Sequence, residues 1–308
     1  MKFSKSKKYL KKIQQSRVYD VANITPLSSA SYLSREIKNN VFLKREDLQP
    51  VFSFKLRGAY NKISLLKEKG NVERVITASA GNHAQGVAYS ARKLKLKSTI
   101  VMPVTTPSIK VRAVKNLGAK VVLVGDSYDD AYVHAIKLSK NPKFAFVHPF
   151  DDPDVIAGQG TIGKEILDEC DKKIDAVFVP VGGGGLIAGI GAYIKNLEPS
   201  IKIIGVEPKE AAGLYESIKA NRRVALKEVG LFVDAVAIKQ VGKITFPIIK
   251  ECVDEVVTVT VDEICAAVED IFQETRSISE PAGALSLAGL KKLTKSRGWK
   301  NKNLVAIN

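Results

Sequence analysis

The sequence predicts an α/β protein of two lobes, with mostly parallel sheets covered by helices. Three observations predict it. Short β-branched runs alternate with stretches whose apolar residues recur at helical spacing. Several strands are apolar along their whole length, as strands covered on both faces are. Two strands run straight into small-residue turns that open helices. A chain of 308 residues is long enough to bury one large domain or two lobes.

The N-terminal "MKFSKSKKYLKKIQQS" is basic and lacks the apolar centre of a secretory signal, so it reads as a polar helix or frayed tail. In "VFSFKLRG", Val51 to Gly58, one lysine sits among aromatic residues. Lys55 has two readings here. It is a strand-end lysine whose stem packs on Phe52 and Phe54, or a partly desolvated amine of lowered pKa that can condense with a carbonyl.

From Val72 the units are regular. "RVITAS" is a strand and "GNHAQGVAYSARKL" a helix; "STIVMPV" is a strand and "PSIKVRAVKNLG" a helix, with Pro107 at its start and Gly118 at its end. "KVVLVGD" is a strand, "SYDDAYVHAIKLSK" a helix and "FAFVHPF" a strand, which makes βαβ units and a largely parallel sheet. A second series follows "DDPD": helix "TIGKEILDEC", strand "DAVFVPV", helix "LIAGIGAYIKNL", strand "IKIIGVEP", strand "EVVTVT", helices "VDEICAAVEDIFQE" and "GALSLAGLKKLTK", and strand "NLVAIN". Two α/β lobes with a cleft between them follow from this order.

Composition narrows the function. The 45% hydrophobic and 26% charged residues are ordinary for a soluble globular protein. No apolar run reaches the about 18 residues of a membrane span. The formal charge of +16 is spread along helices without aromatic interleaving or a nucleic-acid motif, so no nucleic-acid partner is expected, although the field favours an anionic cofactor. Cys170, Cys252 and Cys265 are too few and scattered for a disulfide framework or zinc site, which fits a cytoplasmic protein.

Two loops carry the chemistry. In "VFVPVGGGGLIAGIGAYI" a buried strand enters Gly182, Gly183, Gly184 and Gly185 and then an apolar helix. Such amides at a helix N-terminus suit a phosphate, while a tight strand-helix turn is the structural alternative. In "TASAGNHAQG" the turn holds Ser79, Gly81, Asn82 and His83, which suits a carboxylate and places an amide side chain near a ring hydroxyl or carbonyl. Ser79 or Asn82 would also serve as an N-cap, and His83 alone reads as a structural histidine. An amine, a phosphate cradle and a carboxylate pocket are together satisfied by pyridoxal phosphate bearing an amino acid.

"SFKLRGAYNKI", "TASAGNHAQGVA", "AGQGT", "VPVGGGGL", "GVEP" and "EPAGALSLAG" occur in the order seen in fold type II pyridoxal-phosphate enzymes, the tryptophan synthase β-like group. From Val18 to Asn308 the chain resembles the threonine dehydratases (threonine ammonia-lyases) of that family, and "VGLFVDAVAIKQVG" and "DEICAA" are similar to the biosynthetic branch. The resemblance implies pyridoxal 5'-phosphate as cofactor and Lys55 as its Schiff-base lysine and general base. It implies that Phe54 packs on the ring and Asn82 bonds its hydroxyl. Gly182, Gly183, Gly184 and Gly185, with Leu186, would hold the phosphate. Ser79, Ala80, Gly81, Asn82 and His83 would hold the substrate carboxylate.

The implied reaction converts L-threonine to 2-oxobutanoate and ammonia, and L-serine to pyruvate, as the first step of isoleucine biosynthesis. Residues 49–146 would form a smaller mobile lobe, and 1–48 with 147–308 a larger cofactor lobe. Self-association into a homo-oligomer stays open. Serine racemases of the same fold carry a serine where this chain has Ala80, so racemisation is not expected. Metal-binding relatives use an acidic set, whereas here Glu207 is followed by Ala211 and Gly213, so no metal is expected. Family members continue past the last strand with a loop that bonds the pyridine nitrogen, and biosynthetic members add a regulatory domain. Neither is expected here, and a truncated, weakly active or non-catalytic remnant is the second reading.

Overall fold

The structure, a computed structural model, describes residues 4–308. In chain order its elements are α1 (Lys7–Gln14), β1 (Leu27–Ser29), α2 (Ser31–Ile37), β2 (Asn40–Lys44), α3 (Lys55–Glu68), β3 (Arg74–Ala78), α4 (Asn82–Lys93), β4 (Lys97–Met102), α5 (Ser108–Asn116), β5 (Lys120–Leu123), α6 (Tyr128–Leu138) and β6 (Phe144–Phe146). Then come α7 (Pro153–Glu169), β7 (Ala176–Pro180), α8 (Gly185–Leu197), β8 (Lys202–Pro208), α9 (Gly213–Lys219), α10 (Thr245–Cys252), β9 (Glu255–Val259), α11 (Val261–Thr275), α12 (Pro281–Arg297) and β10 (Asn303–Ile307). The chain divides into two compact units. One comprises Met1–Gln14, Ile24–Asp47 and Gly160–Asn308, the other Gln15–Asn23 and Leu48–Gln159.

The second of these units is built on a four-stranded sheet in the order β5-β4-β3-β6, parallel throughout. Alternate residues of β3 feed two cores. Val75 packs with Ala59 and Ile63 of α3 and Val87 and Ala91 of α4, while Ile76 and Ala78 pack with Ala131 and Ala135 of α6 on the other face. The chain therefore leaves β3 over one face and reaches β6 over the other. Neighbouring strands whose connections diverge in this way leave a crevice beyond their carboxyl ends, the usual ligand position in open α/β sheets. The loops at that switch point begin at Ser79 and Val147. A capping box closes the start of α6, with Ser127 accepting from the Asp130 amide and the Asp130 carboxylate accepting from the Ser127 amide.

The other unit holds a six-stranded sheet in the order β1-β2-β10-β7-β8-β9, in which only β1 runs antiparallel. β10 is central: Ala306 lies between Leu43 of β2 and Phe178 of β7. One face packs on α2, α11 and α12 through Leu33, Ile264, Leu285 and Leu290. On the other, α8 approaches closely enough that a Cβ at Gly205 of β8 would lie 3.1 Å from Ile187. The switch point of this sheet lies between β7 and β10, and the loop after β7 is the glycine run. Proline at the start of α12 and left-handed Gly298 at its end set that helix's limits.

The expected βαβ series is present, with two differences. Lys55 is not at a strand end but is the first residue of α3. The helix anticipated from Thr161 starts at Pro153, so "AGQG" is helical. Gly158 explains why: a Cβ there would lie 2.7 Å from the Arg57 carbonyl and from the Gly58 Cα, so glycine lets α7 cross α3 at backbone contact. The basic N-terminus is helical from Lys7 and is anchored by fully buried Tyr9 and Ile13 rather than frayed. Lys44 at the end of β2 is fully buried, its ammonium 2.8 Å from Glu165 and paired also with Glu169 and the Thr25 carbonyl. Burying such a cluster is tolerated only because each charge is answered.

Candidate active site

Lys55 is placed by the turn before it and the helices beneath it. Phe52 adopts a left-handed conformation (φ 56°) and its amide donates to the Gln49 carbonyl at 2.8 Å. That reversal brings Ser53 and Phe54 to the head of α3, where the Lys55 amide donates to the Ser53 hydroxyl at 3.3 Å. A Cβ at Gly86 of α4 would lie 3.1 Å from the Lys55 carbonyl, so α4 supports this residue's backbone directly. Gly58 one turn on donates its amide to Gln159 of α7 at 3.2 Å. The lysine thus projects from backbone that three packed segments hold.

The half-buried Lys55 amine donates to the Pro149 carbonyl at 3.2 Å and lies 5.3 Å from the centroid of Phe54. Two histidines lie in its field. His83 is buried, and a ring nitrogen in contact with a carbonyl must carry a hydrogen, so Nε2 donates to Val147 at 3.1 Å. This leaves Nδ1 bare and without a partner. Burial, and then the Lys55 charge, push the pKa of His83 down to about 3. His148 accepts at Nδ1 from the amides of Phe150 and Asp151 at 3.2 and 2.8 Å. Its pKa is lowered, chiefly by burial and also by Lys55, against the opposing carboxylates of Asp151 and Asp152. Both rings are neutral near pH 7, so neither adds positive charge beside the amine.

The loop after β3 places Ser79, Ala80 and Gly81 ahead of Asn82, the first residue of α4. No side chain caps this helix. Gly81 occupies the cap, and the Ser79 hydroxyl instead accepts from the Gly81 amide at 3.3 Å. The N-cap role considered for Ser79 or Asn82 is not taken. A Cβ at Gly81 would meet nothing within 4 Å, so there is open space beside these residues. Lys55, Asn82 and His83, with Ser79, Ala80 and Gly81, belong to one unit and to its switch point.

In the other unit the glycine run links β7 to α8. Gly184 caps α8 with φ +90°, a conformation costly for other residues, and no side chain caps the helix. A Cβ at Gly184 would lie 2.6 Å from Ile249, and one at Gly182 would lie 3.0 Å from the Val236 Cα. The Gly183 carbonyl accepts from the Thr245 hydroxyl at 2.8 Å and from the Gly242 amide at 3.1 Å. The run is braced from one side by its carbonyls, and the start of an apolar helix with buried Leu186 supplies amides and a favourable dipole. The run makes the tight strand-helix turn and leaves backbone amides at the start of α8.

Glu207 at the end of β8 is buried, and its two carboxylate oxygens accept the amides of Leu214 and Tyr215, each at 2.8 Å. Burial pushes its pKa up to about 8 against those two bonds. It anchors the start of α9. Among the described residues no group of three or more histidines, cysteines or acids could hold a metal ion. Reading the sequence alone missed Pro149, His148 and Thr245 as neighbours of the site. A carbonyl contact and a brace across 62 residues leave no local pattern.

A half-buried lysine amine lies at one sheet's switch point and a glycine-built helix start at the other's. The chain belongs to the pyridoxal-phosphate dependent enzymes, whose family model matches residues 18–308, and its cofactor is pyridoxal phosphate. It is 54% identical over 302 residues to L-threonine dehydratase biosynthetic IlvA of Burkholderia multivorans, covering 97% of this chain and 60% of that protein. It is 56% identical over 299 residues to threonine dehydratase 1 biosynthetic, chloroplastic, of Solanum lycopersicum, covering 97% of this chain and 49% of that protein. The chain thus spans about half to three-fifths of the length of these curated relatives. The solved structure of the processed form of threonine deaminase isoform 2 from Solanum lycopersicum superposes with a TM-score of 0.95 at 49% identity, covering 97% of this chain and 82% of that one.

Proposed function

We propose that the chain deaminates L-threonine to 2-oxobutanoate and ammonia, and L-serine to pyruvate, as the first step of isoleucine biosynthesis. The observation that carries this substrate class is the 54% identity, over 97% of the chain, to a biosynthetic L-threonine dehydratase. Lys55 carries the cofactor, Phe54 packs on its ring and Asn82 bonds its hydroxyl. Gly182 to Gly185 and Leu186 hold its phosphate.

The residues fit the group. The positive φ and crowded Cβ position at Gly184 leave backbone alone to meet an anion there. Lys55 offers a primary amine that donates to the Pro149 carbonyl. When bound, pyridoxal phosphate supplies a carbonyl carbon for an amine to attack and a ring that takes up electrons from the substrate Cα.

The chain's own groups do the rest. Ser79 to His83 take the substrate carboxylate on the uncapped start of α4 and so fix which Cα bond faces the lysine. The Lys55 amine, oriented by the Pro149 carbonyl, takes the Cα proton at Nζ. Neutral His83 and His148 leave that amine able to accept it. The methyl of Ala80 has no proton to give, so elimination is favoured over reprotonation from the second face. The free state of Cys170, Cys252 and Cys265 fits a cytoplasmic setting, and among the described residues no helix is long and apolar enough to cross a membrane.

The test is a paired assay on the cofactor-loaded chain. L-threonine should release ammonia and 2-oxobutanoate in equal amounts, L-serine should give pyruvate with little D-serine, and Lys55→Ala should give neither. A chain that holds the cofactor yet releases no ammonia from either amino acid sinks the proposal.

A further inference from the structure

A second concave site lies in the unit built on the six-stranded sheet, where α2, α11 and α12 cover one face. Its volume is about 540 Å³, and it is lined by residues from the end of α2, such as Lys38, from α11, such as Glu263, and from α12 and the turn after it, such as Thr294, Lys295 and Trp299. A cavity of this size holds a small organic molecule.

The charges in it do not balance. Glu36 and Asp270 answer Lys291 at 3.5 and 2.6 Å, and Glu263 answers Lys292 at 3.1 Å. Lys38, Lys295 and Lys300 line the same cleft and form no ion pair among the described residues. The Lys38 carbonyl accepts from the Asn301 amide at 2.9 Å, which fixes the backbone on that side. Trp299, the chain's single tryptophan, also lines the cleft, with the Lys202 ammonium 5.3 Å and the Arg297 guanidinium 5.5 Å from its ring. An apolar floor under uncompensated cations is built for an anion that carries an apolar body.

Thr294 is an independent observation. It lines the cleft, is only 4% exposed, and its hydroxyl has no hydrogen-bond partner. A buried helical threonine ordinarily bonds the carbonyl one turn back. A buried hydroxyl left unpaired is rare, and ligand binding is one way it is satisfied.

We propose that this cleft is a second ligand site, distinct from the glycine cradle, for a phosphate monoester on a small apolar or aromatic body. Three compact ammonium groups suit a dianionic phosphate, and no arginine fork that would favour a carboxylate lines the cleft.

Trp299 makes the test direct. With the chain loaded with one equivalent of pyridoxal phosphate and the excess removed, phenyl phosphate titrated at low salt should change the tryptophan fluorescence saturably, with a Kd below about 1 mM. Lys38→Ala and Lys295→Ala should each weaken it roughly fivefold, and the double reversal Lys38→Glu with Lys295→Glu should remove it. Inorganic phosphate and benzoate should each bind at least about tenfold more weakly. Thr294→Val should weaken binding severalfold while raising the thermal midpoint, opposite signs that a merely structural threonine would not give. No saturable response up to about 10 mM, or one that survives the double reversal, overturns the site. Inorganic phosphate binding as tightly as phenyl phosphate overturns the ligand class. An unchanged affinity in Thr294→Val overturns the part given to the hydroxyl.

Discussion

At the switch point of the four-stranded sheet the loops present side chains: the Lys55 amine, the Asn82 amide, two imidazoles and a serine hydroxyl. At the switch point of the six-stranded sheet the loop presents backbone, because Gly182 to Gly185 have nothing else to offer. The topologies are alike, with a return strand laid beside the first strand of a parallel run. On the proposed function, the difference lies in what each loop would hold. Reaction at a carbon needs groups that can be aimed and protonated, so residue identity matters. Holding a phosphate needs several donors converging at short range, and side chains would stand in their way.

The sharpest break of this comparison is Lys55→Ala. Removing the amine held at that loop should lower threonine turnover by about 10³-fold or more. The loss should come in kcat, with the glycine cradle still holding the cofactor phosphate. Borohydride treatment of the loaded protein followed by peptide mapping should mark Lys55. Label on another lysine would move the reactive centre away from the head of α3.

Acid should separate the units next. His83 has a folded pKa of about 3 against an ordinary 6.5. The unfolded chain binds the proton that the folded chain refuses, so this contribution to stability is complete above about pH 6.5. It is lost progressively as the pH falls toward 3, and is at most about 5 kcal/mol. The glycine run has no titrating group of its own. Denaturant unfolding of the native chain and of His83→Gln, followed between pH 7 and pH 4, should converge as the pH falls. Parallel curves would show that the imidazole is not held neutral by its burial.

Glycine replacements sharpen the contrast. Gly184→Val forces a branched side chain into a positive φ and against Ile249, so it should cost roughly 3 kcal/mol and lose the cofactor. Gly81→Ala has open space and an ordinary φ, so it should change stability by less than about 0.5 kcal/mol and act on the KM for threonine instead. Equal stability losses at the two positions would mean that the loops are not specialised as described.

These residues also show what the sequence could reveal. A run of four glycines between an apolar strand and an apolar helix has few uses, so the strand-turn-helix there could be read directly. The βαβ series was equally plain from its alternating periods. Lys55 was harder, because Phe52 and Phe54 suggest an extended segment. The helix that begins at Lys55 depends on the Phe52 reversal and on the small residues Gly58, Gly86 and Gly158 of crossing helices. The early start of α7 was hidden for a related reason: glycines weaken a helix locally and are repaid only by packing that no single segment shows. Strands β1 and β2 are short and carry polar residues such as Asn40 and Lys44. The burial of Lys44 follows from Glu165 and Glu169, more than 100 positions away.

The smallest expected effect tests the brace behind the cradle. The Thr245 hydroxyl donates to the Gly183 carbonyl at 2.8 Å, and Thr245 is fully buried. If the run works through backbone geometry, this bond matters by keeping one carbonyl turned away from the anion. Thr245→Val keeps the volume and removes the donor, leaving the Gly183 carbonyl with the Gly242 amide alone. The cost should be about 1 kcal/mol, or roughly a fivefold loss of cofactor affinity, with KM for threonine little changed. Thr245→Ser restores the hydroxyl and should recover most of that loss. Equilibrium dialysis of the cofactor against the three proteins reads this out. If valine and serine variants retain the cofactor equally well, the run holds its shape without the brace, and Gly184 alone sets the geometry.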